Sequence, residues 1–293
     1  MKPAPFEYEA PHTVDETLAL LAEAPGDTSL LAGGQSLVPL LNLRLARPAL
    51  IVDLNGVAEL AGIGASNGSV RIGAMTRQRA AETNTAVCER LPLLAEALQH
   101  VAHVPIRTRG TVGGSLVHAD PAAELPAVAL ALEARLALRG VSGERTVAAD
   151  EFFLGPFTTA READELLVAV DFPVPPPGTG WAFNELTRVH GAFALVGVAA
   201  LLHANSNGRI DLARVVVFGV GAVPYAPSWL ADVALGEVPG EALFARVVER
   251  MRESIDPPDD THGSSQYRRE IAGVFTARAL ATAARRASLE VGP

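Results

Sequence analysis

The 293-residue chain has a net charge of −9, 49% hydrophobic residues and one cysteine, Cys88. The acidic balance argues against a nucleic-acid surface, which needs a basic face, and a mean hydropathy of +0.23 indicates well-filled cores. A lone thiol excludes an internal disulfide, a thiolate zinc site and an iron–sulfur cluster on the chain's own cysteines, so redox chemistry here needs an organic cofactor.

The length fits two domains at roughly 100–200 residues each. No uninterrupted apolar run reaches the roughly 18–20 residues of a membrane span. The opening Met1-Lys2-Pro3-Ala4-Pro5 lacks the apolar core of a signal peptide, so a cytoplasmic protein is expected.

In chain order, Phe6-Glu7-Tyr8 reads as a short strand, and Thr13-Val14-Asp15-Glu16 as a capping box opening a helix. Val14, Leu18 and Leu21, with Leu20 and Ala24, follow at helical spacing, and Pro25-Gly26 stops the run. Ser29-Leu30-Leu31 is a strand entering Gly33-Gly34. Ser36 then stands as N-cap of a helix, and residues 49–54 form another apolar strand. Together these make a β-α-β-α-β unit.

A second unit starts near Leu60. Residues 70–74 read as a strand, with Thr76 capping the helix after it, and residues 91–103 as an amphipathic helix. Residues 121–132 are expected to be helical, 135–138 and 145–147 to form a hairpin, and 165–172 a strand. The breaker cluster of residues 173–180 marks the expected domain boundary. Beyond it lie three strand-like runs, 181–183, 194–203 and 213–220, with Asn205-Ser206-Asn207-Gly208 as the turn between the last two. Helices over 241–254 and about 265–288 complete the chain.

Two glycine-rich stretches stand out, residues 30–37 with Gly33-Gly34 and residues 108–115 with Gly113-Gly114. Paired glycines permit close backbone approach and positive φ, and successive free N–H groups make a nest for phosphate. A helix N-terminus also favours an anion. Neither stretch is a Walker loop or the Gly-x-Gly-x-x-Gly fingerprint. Two of them about 80 residues apart, with matching chemistry, suggest a diphosphate held from two sides.

The joint pattern resembles a known family. Ala32-Gly33-Gly34-Gln35-Ser36-Leu37, an apolar helix and Ile51-Val52-Asp53-Leu54 are similar to the first flavin loop of the medium subunits of molybdenum hydroxylases. That family includes the flavoprotein subunits of carbon monoxide dehydrogenase and xanthine dehydrogenase. Arg109-Gly110-Thr111-Val112-Gly113-Gly114-Ser115 with His118-Ala119-Asp120-Pro121 resembles the second loop. Ser264-Ser265-Gln266-Tyr267-Arg268-Arg269 with Arg278-Ala279-Leu280 resembles the closing helix, so the likeness spans nearly the whole chain.

The resemblance implies an α+β protein. It would have a PCMH-type FAD-binding domain over 1–176, in two α/β subdomains of about 1–57 and 58–176. A C-terminal domain over 177–293, an antiparallel sheet with helices, would be like that of carbon monoxide dehydrogenase flavoprotein. Ala32, Gly33, Gly34, Gln35 and Ser36, aided by Leu37 and Val38, would hold the FAD pyrophosphate, and Thr111, Gly114 and Ser115 would close the other side. Asp120 would shape the flavin pocket, Glu124 would contact the cofactor, and Leu167 would lie near a ring system.

The implied partners are a molybdenum-cofactor large subunit and a [2Fe–2S] small subunit, in a heterotrimer able to dimerise, and an external electron acceptor. Carbon monoxide dehydrogenase medium subunit is the leading named expectation. Medium subunits of aldehyde, purine or N-heterocycle dehydrogenases stay open, as does a stand-alone flavin oxidase or reductase. A non-catalytic nucleotide-binding protein is the third reading.

The chain departs from the family in two places. Asn184 and Glu185 stand where many relatives carry a lysine that approaches the flavin, and Gly191-Ala192-Phe193 replaces a Gly-Asp-aromatic run. No residue is expected to act as catalytic base, nucleophile or metal ligand. His100 and His103, at i and i+3, are read as core-edge packing, His118 as part of the flavin pocket and Cys88 as a buried or half-buried structural thiol. His190 lies in the stretch expected to approach the flavin ring. Arg268, Arg269, Arg278, Arg285 and Arg286 are read as a solvated helix face, with Arg268 pairing across domains.

Overall fold

Three sheets succeed one another along the chain. The computed structural model describes residues 2–23, 26–66 and 68–289. Strand β1 (Glu7–Glu9), helix α1 (Val14–Glu23), β2 (Thr28–Leu31), α2 (Leu37–Asn42) and β3 (Leu50–Asp53) form the first layer. Its strand order β1-β3-β2 is wholly parallel, which each intervening helix makes possible by carrying the chain back. Helix α1 starts as its sequence predicts, since the Thr13 hydroxyl accepts the Glu16 N–H at 3.1 Å. The Glu16 carboxylate returns one residue further, to the His12 N–H at 2.7 Å. Val14, Leu18 and Leu21 bury against Val52 and Leu54. Of the predicted stop at Pro25-Gly26, Pro25 lies outside the described residues, as does Ala24, and Gly26 takes φ +100°.

The second layer runs through β4 (Ile63–Ala65), β5 (Ser69–Gly73), α3 (Gln78–Thr83), α4 (Thr85–Arg90), α5 (Pro92–His100), α6 (Val104–Arg107), α7 (Val112–His118) and α8 (Glu124–Ala131). It continues through β6 (Arg135–Gly140), β7 (Gly143–Ala148), α9 (Ala149–Phe152), β8 (Phe153–Gly155), β9 (Thr158–Thr159) and β10 (Leu166–Pro173). Its main sheet, β4-β5-β10-β6-β7, is antiparallel throughout. The helices between β5 and β6 pack over one face and build the largest core.

Several local expectations are corrected in this layer. Thr76 caps no helix: its hydroxyl donates to the Gly62 carbonyl at 2.9 Å and accepts the Gly62 N–H at 3.0 Å, tying β5 to the start of β4. The helix expected over 91–103 ends at His100, because Val101 turns to extended backbone and Ala102 to φ +42°. Helix α8 starts at Glu124 rather than 121, since Asp120 Oδ1 accepts the Ala122 N–H in a local turn. Cys88 is exposed, its thiol pointing at the Glu82 carbonyl, while the adjacent Val87 takes the buried position of α4.

The last layer is a meander of β11 (Gly180–Thr187), β12 (Ala194–Ala204) and β13 (Ile210–Phe218), followed by α10 (Leu230–Ala234), α11 (Glu241–Ser254) and α12 (Ser265–Arg286). Residues 194–202 of β12 are buried without a break. The strand alternates between two cores: Ala199 and Leu201 pack with α5 and α8, Val198 and Ala200 with α11 and α12. A sheet covered on both faces has no polar alternation to show. The predicted turn forms, with Asn205 Oδ1 accepting N–H groups of Asn207 and Arg209 and Gly208 at φ +72°.

The arginines of α12 are not a uniform solvated face. Arg268 is buried and stays within the last layer, donating to the Leu195 and Gly219 carbonyls and pairing with Asp260 at 2.7 Å. The link to the helices of the second layer is made by Arg286 instead. It donates to Glu96 Oε2 at 2.6 Å and lies 4.8 Å over the Trp181 ring, while Trp181 Nε1 donates to the same carboxylate at 2.8 Å.

Candidate cofactor site

The first glycine loop leaves β2 and turns into α2. Gly34 has φ +74°, a conformation that disfavours any side chain. The backbone N–H groups of Gly33, Gly34, Gln35 and Ser36 have no hydrogen-bond partner among the described residues. Gln35 Nε2 folds back onto the Gly33 carbonyl at 3.0 Å. Ser36 does stand at the N-cap of α2, but its hydroxyl caps nothing. Four donors and one hydroxyl are therefore free over five half-buried or buried residues, Ala32 to Ser36, and Val38, one turn on, is exposed.

The second loop differs. Val112 N–H donates to the Thr76 carbonyl, Gly113 N–H to Ala74, Gly114 N–H to the Thr111 hydroxyl and Ser115 N–H to the Thr111 carbonyl. The expectation of a second nest of free N–H groups is thus corrected: Thr111 caps α7 and takes two of the donors, and the Thr76 and Ala74 carbonyls take the other two. Its glycines serve packing. A Cβ on Gly113 would sit 2.6 Å from Ala74 Cβ, so the missing side chain is what lets α7 dock on the end of β5.

The two loops meet. A Cβ on Gly33 would lie 2.4 Å from the Arg109 carbonyl oxygen and 2.8 Å from Gly110 Cα, and one on Gly114 would lie 3.4 Å from Ala32 Cβ. Beside this contact runs a polar chain that the sequence did not disclose. Arg77 Nη1 donates to the Arg109 carbonyl and Nη2 to Asn55 Oδ1, both at 2.5 Å, and Asn55 Nδ2 donates to the Ala32 carbonyl at 3.0 Å. Asp53 accepts the Tyr8 hydroxyl at 2.6 Å and the Asn55 N–H at 2.9 Å. Burial alone would raise its pKa, but Tyr8 and Asn55 hold the carboxyl below its usual range. The only sequence signal was Asn55 two residues after the strand's Asp53.

The other predicted residues scatter. Glu124 is buried at the first position of α8, and its pKa is pushed up to about 8 by burial, so it is protonated at neutral pH. Asp120 is half-buried in the turn before it. Leu167 is buried in β10 within the largest core. His118 lies against Phe157, and burial lowers its pKa.

His100 and His103 take separate partners in the last layer. His100 Nδ1 is 3.6 Å from Glu185 Oε1, which holds the imidazole above its ordinary range, and its ring packs on Phe183. His103 meets His190 edge-on. Glu185 faces α5, while Asn184, one residue earlier on the strand, turns to the opposite face. No group of three or more potential metal ligands occurs among the described residues.

The junction fits an anionic diphosphate. It offers unpartnered N–H groups, the Ser36 hydroxyl and the exposed Arg109 guanidinium, which forms no hydrogen bond or ion pair among the described residues. The family described as FAD binding domain in molybdopterin dehydrogenase matches residues 4–175, and the CO dehydrogenase flavoprotein C-terminal domain matches residues 181–283. The chain belongs to the FAD-binding flavoprotein subunits of the molybdopterin dehydrogenases, an α+β oxidoreductase subunit with FAD as its cofactor.

Among its relatives, caffeine dehydrogenase subunit beta of Pseudomonas sp. (strain CBB1) is 40% identical over 98% of this chain and 97% of its own. Carbon monoxide dehydrogenase medium chain of Hydrogenophaga pseudoflava is 37% identical over 96% of this chain and 97% of its own. Among solved structures, carbon monoxide dehydrogenase from Hydrogenophaga pseudoflava superposes with TM-score 0.95 at 37% identity, covering 98% of this chain and 99% of that one. Quinoline 2-oxidoreductase from Pseudomonas putida 86 gives 0.93 at 38%, with the same coverage. No helix among the described residues is long and apolar enough to cross a membrane.

Proposed function

We propose that this chain is the electron-transferring medium subunit of a cytoplasmic molybdenum hydroxylase. Its partners are a molybdenum-cofactor large subunit, which oxidises the substrate, and a [2Fe–2S] small subunit, which relays electrons to it; an external acceptor takes them on. Ala32, Gly33, Gly34, Gln35 and Ser36, with Leu37 and Val38, hold the FAD diphosphate, and Thr111, Gly114 and Ser115 face them. Asp120, Glu124 and Leu167 belong to the remainder of the pocket. The cofactor domain spans 1–176, with subdomains of about 1–57 and 58–176, and the second domain 177–293; the break between the two family matches supports this division.

FAD, when bound, would supply the redox chemistry between the iron–sulfur side and the acceptor. The chain's residues bind, orient and tune. The free N–H groups of the first loop meet the negative diphosphate, the second loop presents the Ser115 hydroxyl, and the buried Glu124 carboxyl holds its proton at neutral pH. The observation that carries the reading is the set of unpartnered N–H groups at the junction of two glycine loops, in a chain matched end to end by such subunits. Caffeine and carbon monoxide dehydrogenase relatives stand at near-equal identity, which supports a substrate choice made by the large subunit.

The test is to purify the chain alone and with both partner subunits, then add candidate substrates while following flavin absorbance. A yellow chain whose flavin is bleached only in the complete complex is expected. Bleaching of the isolated chain by a small organic substrate would instead establish a stand-alone oxidase or reductase, and a chain colourless with added FAD would end the flavoprotein assignment.

A further inference from the structure

The two glycine loops touch, but side chains outside both of them also join them. Asn55, in the single turn after β3, donates to the Ala32 carbonyl of the first loop. Arg77, just before α3, donates to the Arg109 carbonyl of the second. Arg77 also donates to Asn55 Oδ1 at 2.5 Å, closing an unbroken hydrogen-bonded span from one loop to the other. The span runs beside the point where the Gly33 backbone abuts Arg109 and Gly110. Asp53 and Tyr8 anchor its Asn55 end, since Asp53 Oδ1 accepts from Asn55 and Oδ2 accepts the Tyr8 hydroxyl.

Charge points the same way. The half-buried Arg77 guanidinium is satisfied by two neutral oxygens rather than a carboxylate. The Arg109 guanidinium beside it makes no hydrogen bond or ion pair among the described residues. Burial and the neighbouring Arg109 both lower the pKa of Arg77, as expected where cations outnumber anions. Asp53, the carboxylate whose field reaches both arginines, is already engaged by Tyr8 and Asn55. The junction thus carries surplus positive charge that a diphosphate would neutralise.

We propose that Arg77 and Asn55 form a strap between the loops, positioning residues that set the loop spacing for the FAD diphosphate, with Arg77 adding unneutralised positive charge to the site. The proposal rests on the diphosphate site of the preceding subsection. Arginine suits the task because its planar fork reaches two acceptors in different directions at once; lysine keeps the charge and loses the bridge.

The experiment titrates FAD into the deflavinated full-length chain at low and high salt, reading the dissociation constant from flavin fluorescence and folding from circular dichroism. Arg77→Met should weaken binding on the order of tenfold or more and flatten its salt dependence. Arg77→Lys and Asn55→Ala should each weaken binding about threefold to tenfold while the salt dependence persists. The Arg77→Met/Asn55→Ala double variant should bind no worse than Arg77→Met alone, because both changes cut one span.

Wild-type affinity in Arg77→Met, full rescue by lysine, or multiplied losses in the double variant would each overturn the strap. If Arg77→Met fails to fold, Asn55→Ala and Arg77→Lys decide the matter, through a loss in each or wild-type binding in both. Gly33→Val separates the two levels. If it binds FAD normally, the diphosphate site itself is wrong, whereas loss there with unchanged binding in Arg77→Met removes the strap alone.

Discussion

The two glycine loops share a Gly-Gly pair and do opposite things with it. In the first, Gly34 takes a positive φ, and four successive N–H groups from Gly33 to Ser36 are left without a partner among the described residues. In the second, Thr111, Thr76 and Ala74 absorb the N–H groups of Val112 to Ser115, and the missing Cβ of Gly113 lets a helix sit on a strand end. The same dipeptide leaves its donors open in one place and is a packing device in the other. Backbone donors mark a binding site only when no tertiary partner has claimed them.

The comparison can be broken most sharply at Gly33. Its added Cβ would meet the Arg109 carbonyl oxygen at 2.4 Å, so Gly33→Val must push the loops apart. The expected product is a folded chain with little flavin absorbance, and full flavin occupancy would sink the site. Gly113→Ala should fail differently. Its Cβ lies within 2.8 Å of the Ala74 backbone, overpacking worth about 1–3 kcal/mol of stability. Denaturant melts should show that loss, with flavin retained by whatever fraction stays folded. A variant of normal stability that loses flavin would make the loops alike after all.

A third measurement concerns the helix that follows the second loop. Glu124 has a folded-state pKa of about 8, raised by burial, against 4.5 as its ordinary value. The protonated form fits the fold, so its stability contribution is intact below the ordinary value and drains as pH rises toward 8. Glu124→Gln should therefore gain stability over the native chain by about 1.4 kcal/mol per pH unit between those limits, and level off above. Denaturation at pH 5, 6, 7 and 8 checks this; a pH-independent difference would show that Glu124 is ionised in the fold and adds negative charge to the region. The smallest effect belongs to Ser115→Ala, which removes one hydroxyl from the second loop. FAD binding should weaken by about 0.5–1.5 kcal/mol, or ~1.5–3 kcal/mol if that hydroxyl bonds a charged phosphate oxygen.

Much of the architecture was legible because it follows from local rules. The capping box at Thr13, the parallel unit around β3, the Asn205–Gly208 turn and the helix over 241–254 are set by short-range chemistry and by periodic burial. The errors fall where a residue's partner lies far along the chain. Thr76 looked like a cap and instead closes on Gly62. Arg268 reads as the arginine that pairs across the domains, yet it lies buried against the Leu195 and Gly219 carbonyls of its own layer, while Arg286 makes the link to Glu96. Cys88 looked buried because thiols usually are, yet Val87 takes the core position of that short helix.

The sequence by itself determined that two glycine loops exist, which strand and helix the first adjoins, and, through their joint pattern, the flavoprotein family; the helix α7 that carries the second pair was not legible in it. Tertiary structure alone decided that the loops touch, that only the first keeps its N–H groups free, and that Arg77 and Asn55 span them. The reason is physical. A glycine pair specifies what conformations the backbone can reach, which is local, whereas the partner that meets a given N–H or guanidinium depends on which distant segments pack beside it.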